Sequence, residues 1–426
     1  MSKIVVLGGG IGGLTAAFEL KDELGSKHEI VLVSDQKHFE FTPSNPWVAV
    51  KWREPEAIRL DLKDLLGKHG IGFVGTAARR VQPQSHDLLL ENNEILHYDY
   101  LVIASGPRLA FDEIPGLGPH GGFTHSVCKT DHATIMAEGF EAFCANPGPV
   151  VIGAAQGASC YGPAYEYTFI IETELRKRKI RDRVPMYYVT PEPYIGHLGL
   201  DGVGDTKSML ESEMRERHIK CFPNTRIDKV EQGKMYITQV DESGADKASH
   251  ELEFAHSMIL PAFTGIKAVT GIEGLSNPRG FIIVDELQRN PTFPDIYAVG
   301  VCVAIPPVGP TPLPVGVPKT GYMIESMVTA TVANIADDLK GNPLTHKATW
   351  NAFCLADFGD RGVAFMALPQ IPPRNTNWSG SGKWVHWAKV GFEKYYLRKM
   401  KQGKVEPFFE KFALRMMGAQ KLKGAL

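Results

Sequence analysis

The chain opens on a strand, a glycine-rich turn and a helix, and this start limits the fold more than any other part of the sequence. Lys3 to Leu7 is an apolar run, Gly8-Gly9-Gly10-Ile11-Gly12-Gly13 follows, and LTAAFELKDEL then has the periodicity of a helix. G-x-G-x-x-G between a strand and a helix is a dinucleotide turn. Gly8 makes the tight bend, Gly10 lets the backbone approach a pyrophosphate, and Gly13 lets helix and strand pack closely, with the helix amino end facing the anion. Gly12 belongs to the same turn. A second strand, Glu29 to Val33, ends at Ser34-Asp35, where an acidic side chain is expected to bind the ribose; Asp35 sits about one place late for this role. The pattern predicts an α/β chain built on a parallel sheet.

A second unit of the same shape has been altered. Val150 to Glu166, VVIGAAQGASCYGPAYE, reads as strand, small-residue turn and helix, but its frame Gly153-Ala154-Ala155-Gln156-Gly157-Ala158 keeps only the first glycine. Alanines at 155 and 158 crowd a pyrophosphate, so no nicotinamide cofactor is expected. The next strand, Pro185 to Thr190, ends in Pro191-Glu192-Pro193. Glu192 stands where a ribose acid would, but flanking prolines favour a rigid turn. Cys160 lies just inside this second turn.

A net charge of -2 over 426 residues gives no basic face for nucleic acid. The six cysteines, Cys128, Cys144, Cys160, Cys221, Cys302 and Cys354, are far apart and include no CxxC pair, so neither a metal site nor a disulfide framework is expected. MSKIVVLGGG runs straight into a strand, which leaves no room for a Sec signal peptide, and no apolar run approaches the ~20 residues of a spanning helix.

Tyr98 to Leu109 closes on Ala104-Ser105-Gly106, and Asp295 to Val301 closes on Ala298-Val299-Gly300. Both segments resemble the later signatures of the two-dinucleotide-fold flavoproteins. That resemblance implies FAD lying extended along the first unit, with Ala104, Gly106 and Gly300 at the cofactor. Many members place an aspartate where Val301 stands, so Val301 is not carried over.

Further words narrow the family: FTPSNPWV at Phe41 to Val48, HSVCKTDHA at His125 to Ala133, GASCYGPAYEY at Gly157 to Tyr167, EPYIGHLG at Glu192 to Gly199, PKTGYMIESM at Pro318 to Met327 and WNAFCLADFGDRG at Trp350 to Gly362. In this order and spacing they resemble the sulfide:quinone oxidoreductases along the whole chain. The resemblance implies that sulfide is oxidised to polysulfide or elemental sulfur and that electrons pass through FAD to a membrane quinone. It implies a sulfur bridge between Cys160 and Cys354, with Cys354 passing two electrons to the flavin and the sulfur chain growing on Cys160. A disulfide or polysulfide is the natural electrophile for sulfide. Cys128 is an accessory near the flavin edge or in sulfide handling. His132 lies four residues after Cys128, one turn away if a helix runs from Thr130, and His132 and His197 are read as proton carriers or thiolate stabilisers. Glu166 serves likewise or lies on a helix surface. Lys319 is read as a charge that stabilises reduced flavin, before a helix starting near Thr320. Pro43, Ser44 and Gly321 complete the implied cofactor set.

Lys383 to Lys401 places Trp384, Trp387, Ala388, Gly391, Phe392 and Tyr395 on one helical arc, with His386, Lys389, Glu393 and Lys394 opposite. A second short helix, Pro407 to Met417, gathers Phe408, Phe409, Phe412 and Met416. Basic residues against aromatic arcs suit a helix lying in a membrane interface, or one packed on a core or a second copy. By resemblance Phe392 and Phe409 hold the quinone ring with Lys389 near a carbonyl, Phe409 standing where some relatives have tyrosine. The implied location is peripheral, on a prokaryotic-type inner membrane. The sequence leaves the oligomeric state open.

These readings divide the chain into a first, FAD-binding unit over 1–112 and 275–340, an altered second unit over 113–274, and a carboxyl-terminal unit over 341–426. A hairpin is expected at Asp241-Glu242-Ser243-Gly244 between strands Met235 to Val240 and Leu252 to Leu260. Two other readings stay open: a type II NADH:quinone dehydrogenase, and a non-enzymatic redox-sensing flavoprotein docked on membranes.

Overall fold

The computed structural model describes residues 1–406 and 418–424. Its first unit is built on a five-stranded parallel sheet in the spatial order Ile296–Ala298, Tyr100–Ile103, Lys3–Leu7, Glu29–Val33 and Gly72–Val74. The central strand is apolar on both faces because both are covered. Ile4 and Val6 pack with Leu14, Phe18, Met323 and Met327 of the helices Ile11–Leu24 and Gly321–Lys340. Val5 and Leu7 pack with Val81 and Leu88 of a small antiparallel sheet, Ala78–Gln82, Asp87–Leu90 and Ile95–His97.

The second unit repeats this plan. Ile219–Phe222, Met186–Val189, Val150–Ala154 and His256–Leu260 form a parallel sheet, backed by the antiparallel strands Thr225–Glu231, Lys234–Val240 and Asp246–Glu253. The turn at Asp241 is present, with the Asp241 carboxylate accepting from the amides of Ser243 and Ala245. The strand expected over Leu252 to Leu260 is divided instead. Asp246–Glu253 completes the hairpin, and His256–Leu260 enters the parallel sheet. The chain switches sheets at Phe254 and Ala255, whose amides bond to Gly233 and Pro149.

The antiparallel pair Arg108–Leu109 and Phe263–Thr264 joins the two units. Val269, Ile272 and Leu275 already pack with the first sheet. The return to the first unit therefore begins just after Thr264, earlier than position 275. The carboxyl-terminal unit is a three-stranded antiparallel sheet, Ala352–Asp357, Gly362–Leu368 and Thr376–Gly382, followed by the helix Lys383–Lys401. Among the described residues no helix is long and apolar enough to cross a membrane.

Candidate active site

The first turn has the shape of a phosphate cradle. Gly8 has φ +120, and a Cβ there would lie 2.3 Å from the Ala104 carbonyl oxygen. At Gly13 a Cβ would lie 1.8 Å from the Gly8 oxygen, so helix and strand meet here only through glycine. A Cβ on Gly10 would meet nothing within 4 Å. Gly10 caps the Ile11–Leu24 helix without a side-chain bond, and the first turn carries no acid. Open space thus faces unpaired first-turn amides, which fits an anionic pyrophosphate. Asp35 is exposed just beyond the sheet, while buried Ser34 accepts from the Gln36 amide at 3.1 Å. Ala104 bonds to Leu7 of the same sheet, Gly106 and Gly300 both have positive φ, and Gly321 starts the second covering helix with Thr320, not yet helical, as its cap. Pro43 is half-buried; Ser44 is fully buried and donates to Glu393, so its hydroxyl is committed within the protein.

In the second turn those donors and acceptors are already used. The proline-rich loop lies over it: the Gly157 amide donates to Pro314 at 2.7 Å, and the Ala158 carbonyl accepts from Gly316 at 2.9 Å and from the Tyr161 hydroxyl at 2.6 Å. Gln156 bonds twice to the Ile227 backbone at 3.0 Å. Glu192 is buried and accepts from Tyr165, Thr190 and the Leu198 amide. It braces a turn and leaves no carboxylate free for a ribose.

What this turn presents is Cys160, immediately before the helix Gly162–Lys177. That helix packs on the strand Ala352–Asp357, which brings Cys354 to it. Cys128, Cys354, Lys319 and Glu166 all act electrostatically on the Cys160 sulfur. All six cysteines are free. Burial pushes the Cys160 and Cys354 thiols up to about 12 and Cys128 up to about 11. Lys319 is lowered to about 8 by burial and lies 5.4 Å from the Phe281 ring, with Cys302 and Cys160 as its charge partners.

Glu166 is buried in the helix and bonded to Lys389 of the carboxyl-terminal helix; burial raises its carboxyl to about 7. The Lys389 ammonium also lies 5.1 Å from the centre of the Trp47 ring. Lys389 and Glu393, placed by sequence opposite the aromatic arc, are buried, as is Lys399. Outside are Trp384, Trp387 and Phe392, 50%, 70% and 44% exposed. The helix therefore turns Lys389, Glu393 and Lys399 inward to partners and its aromatic arc outward, while Lys394 and Arg398 stay exposed. Phe392 rests on Phe41 at 6.1 Å. Phe409 and the short helix expected over 407–417 lie outside the described residues.

The two histidines do not join this cluster. The helix Thr130–Ala145 starts at Thr130 as expected, but it is preceded by extended backbone at Lys129, so Cys128 lies outside it and is not one helical turn from His132, whose ring packs on His120 and Phe111 and is lowered by burial to about 4. Such an imidazole is neutral near pH 7. His197 accepts from the Gly199 amide at 3.2 Å and packs on Tyr194, and burial lowers it as well. It supports its own loop. The sequence reading missed Asp357, Trp47 and Arg53. Asp357 accepts from Trp47 at 2.8 Å and meets His386 at 2.9 Å, and Arg53 pairs with Glu393 at 2.9 Å. Trp47 and Asp357 lie in the words at Phe41 and Trp350; Arg53 lies in none of them and carries no sequence signal.

The sequence profile described as pyridine nucleotide-disulphide oxidoreductase matches residues 2–331. The sulfide-quinone reductase of Aquifex aeolicus is 39% identical over 97% of this chain and 94% of its own length. The crystal structure of the enzyme from that bacterium superposes with a TM-score of 0.93 over 98% of this chain and 95% of that one. A mitochondrial sulfide:quinone oxidoreductase of Dictyostelium discoideum is 23% identical over 82% of this chain and 73% of its own. The NDH2 structure from Plasmodium falciparum, 15% identical with a TM-score of 0.71 over 99% of this chain and 100% of that one, shares the fold. The chain belongs to the pyridine nucleotide-disulphide oxidoreductase family and, within it, to the sulfide:quinone oxidoreductases.

Proposed function

We propose that this chain oxidises sulfide to polysulfide or elemental sulfur at Cys160 and Cys354 and passes two electrons through FAD to a quinone. The observation that carries this reading is the meeting of these two cysteines, from distant parts of the sequence, beside the buried Glu166–Lys389 pair and Lys319. The Gly8–Gly13 turn would hold FAD, with Asp35 toward its ribose, and the bound flavin would supply the two-electron acceptor.

Hydrosulfide attacks the Cys160 sulfur of a Cys160–Cys354 bridge. The S–S bond breaks, Cys160 keeps the incoming sulfur as a persulfide, and the Cys354 sulfur leaves with the bonding pair. A thiol held near 12 is a poor leaving group. Glu166, half-protonated near pH 7, supplies the proton that Cys354 takes as it leaves. Lys319 holds positive charge beside Cys160, and Cys128 has an accessory part in handling sulfide. The exposed Trp384, Trp387 and Phe392 lie against the membrane surface, where a lipid-soluble quinone is met. Lys389, Phe392 and Phe409 are the residues proposed for the quinone.

The test is anaerobic titration of the flavin-loaded protein with sulfide, followed by a short-chain quinone. Sulfide bleaches the flavin band and quinone restores it, whereas NADH does neither. Cys160→Ser and Cys354→Ser keep the flavin but do not bleach. Full activity in either variant removes the cysteine assignment, and bleaching by NADH alone favours the dehydrogenase reading.

A further inference from the structure

Lys319 is a half-buried cation that no carboxylate pairs with among the described residues. The charge partners of its ammonium are Cys302 and Cys160. Cys302 donates at 3.2 Å to the carbonyls of Ile103 and Val299, at the ends of the strands that lead to Gly106 and Gly300. The ammonium therefore acts on the flavin-side turns and on the sulfur turn. Elsewhere the buried ammonium groups of Lys389, Lys399 and Lys421 meet carboxylates directly. A cation without one turns to water unless its backbone holds it in place. One side chain supplies that hold. Gln370 is wholly buried in the loop after the strand Gly362–Leu368. Its Nε2 donates to the Pro318 carbonyl and its Oε1 accepts from the Thr320 hydroxyl at 3.0 Å, so one amide grips the residues on both sides of Lys319. The Pro318 carbonyl can only accept, which assigns the NH2 end of the amide to it. The Gln370 backbone is itself fixed, its amide donating to Trp350 at 2.7 Å and its carbonyl accepting from Arg374 at 3.0 Å. Upstream, the same loop is tied to the Cys160 turn through Gly316 and Ala158, and a Cβ on Gly199 would lie 2.2 Å from the Gly316 oxygen, so the loop has no slack there.

We propose that Gln370 is a positioning residue for Lys319: by fixing Pro318 and Thr320 it keeps the ammonium within reach of both the Cys160 sulfur and the flavin-side turns. What the held cation does there rests on the function proposed above. A fixed positive charge favours the anionic forms beside it, a thiolate or persulfide at Cys160 and the reduced, anionic flavin. Gln370 acts through Lys319 and not by contact with the reacting atoms. The carboxyl-terminal unit, which brings Cys354 to Cys160, thereby also sets the charge beside the flavin. Methionine at 370 keeps the length of the side chain but removes both bonds, leaving the Pro318 carbonyl and the Thr320 hydroxyl without this partner. The backbone at Lys319 is then free to move, and the ammonium turns outward, where it is better hydrated.

The test uses flavin-loaded protein and two readouts: competitive acylation of Lys319 against pH, read by mass spectrometry, and the reduction potential of the flavin. Burial lowers Lys319 to about 8 in the wild type, and Gln370→Met moves its acylation midpoint up toward the ordinary 10.5. Thr320→Val removes one bond and moves the midpoint the same way by less; the Thr320 side chain makes no cap bond to its helix, so no cap is lost. Lys319→Met lowers the two-electron reduction equilibrium of the flavin about tenfold, or about 30 mV, and Gln370→Met lowers it about threefold. Gln370→Met added to Lys319→Met lowers it no further, a result that a purely structural role does not give. A wild-type acylation midpoint in Gln370→Met, or an equal fall in potential in the Lys319→Met background, overturns the proposal. A potential unmoved by Lys319→Met overturns its flavin half. If Gln370→Met does not fold, Thr320→Val decides alone, an upward midpoint supporting the positioning and an unchanged one overturning it. If sulfide fails to bleach even the wild type, the functional reading falls while the acylation midpoint still decides the positioning.

Discussion

Replacing Arg217 by methionine tests how Cys354 is held in place. The strand bearing Cys354 ends in the turn Phe358 to Arg361, and the second unit grips that turn. Phe358 packs on Phe169 at 4.2 Å and its carbonyl accepts from Thr173 at 2.7 Å. Buried Arg217 bonds to Asp360 at 2.9 Å, to Glu213 at 3.0 Å and to Glu172 at 2.5 Å. Breaking a buried ion pair by removing one partner costs about 3–5 kcal/mol. Here the cost is smaller, because Arg176 still bonds to both Glu172 and Asp360, and the Asp360 side chain is 33% exposed and regains water. That leaves about 2–3 kcal/mol. For a chain of 426 residues the loss corresponds to a fall of about 2–3 °C in the unfolding midpoint, read by calorimetry or by release of flavin fluorescence. Arg217→Lys keeps the charge but not the fork and falls between the two. Arg217→Met should also slow formation of the Cys160–Cys354 bridge by a mild oxidant. An unchanged midpoint together with unchanged bridge formation would refute the clamp.

The cradle makes a sharper distinction between two glycines. Gly13→Ala places a methyl in the Gly8 carbonyl and should unfold the first unit, whereas Gly10→Ala should leave the flavin-free protein at its normal melting temperature and weaken FAD binding, measured by flavin release on dilution. For Glu166 the sign follows from its raised carboxyl, about 7 against an ordinary 4.5. Its contribution to stability is full below about pH 4.5 and is lost as pH rises through about 7, a span of about 3 kcal/mol. Glu166→Gln should flatten that part of the melting profile, and a profile with wild-type slope between pH 5 and 8 would count against it. Trp384→Ser combined with Trp387→Ser should reduce sedimentation with lipid vesicles while leaving sulfide bleaching of the flavin intact; undiminished sedimentation would move the membrane face elsewhere.

Much of the frame could be read from local sequence because its determinants are local. Glycine spacing set the first turn, strand periodicity placed Lys3–Leu7 and Glu29–Val33, and lost glycines set the second turn apart from the first. The division of Leu252 to Leu260 between two sheets was not legible, since a continuous apolar-alternating stretch does not say where its two ends find partners. The family words located Cys160 and Cys354, and helical periodicity gathered the aromatic arc of Lys383–Lys401 correctly.

What periodicity could not determine is which side of that helix faces inward. A helix wheel sets Lys389 and Glu393 opposite the aromatic arc without saying which side is covered, and a buried cation such as Lys389 or Lys399 is stable wherever tertiary packing brings a carboxylate to it. Glu166 and Glu325 come from helices far away in the chain. The same reason removed His132 and His197 from the site and brought in Asp357. Titration behaviour belongs to an environment, and residues distant in sequence assemble that environment only when the chain has folded. The sequence by itself determined which groups can carry the chemistry; the tertiary structure decided which of them are paired, buried and able to exchange a proton.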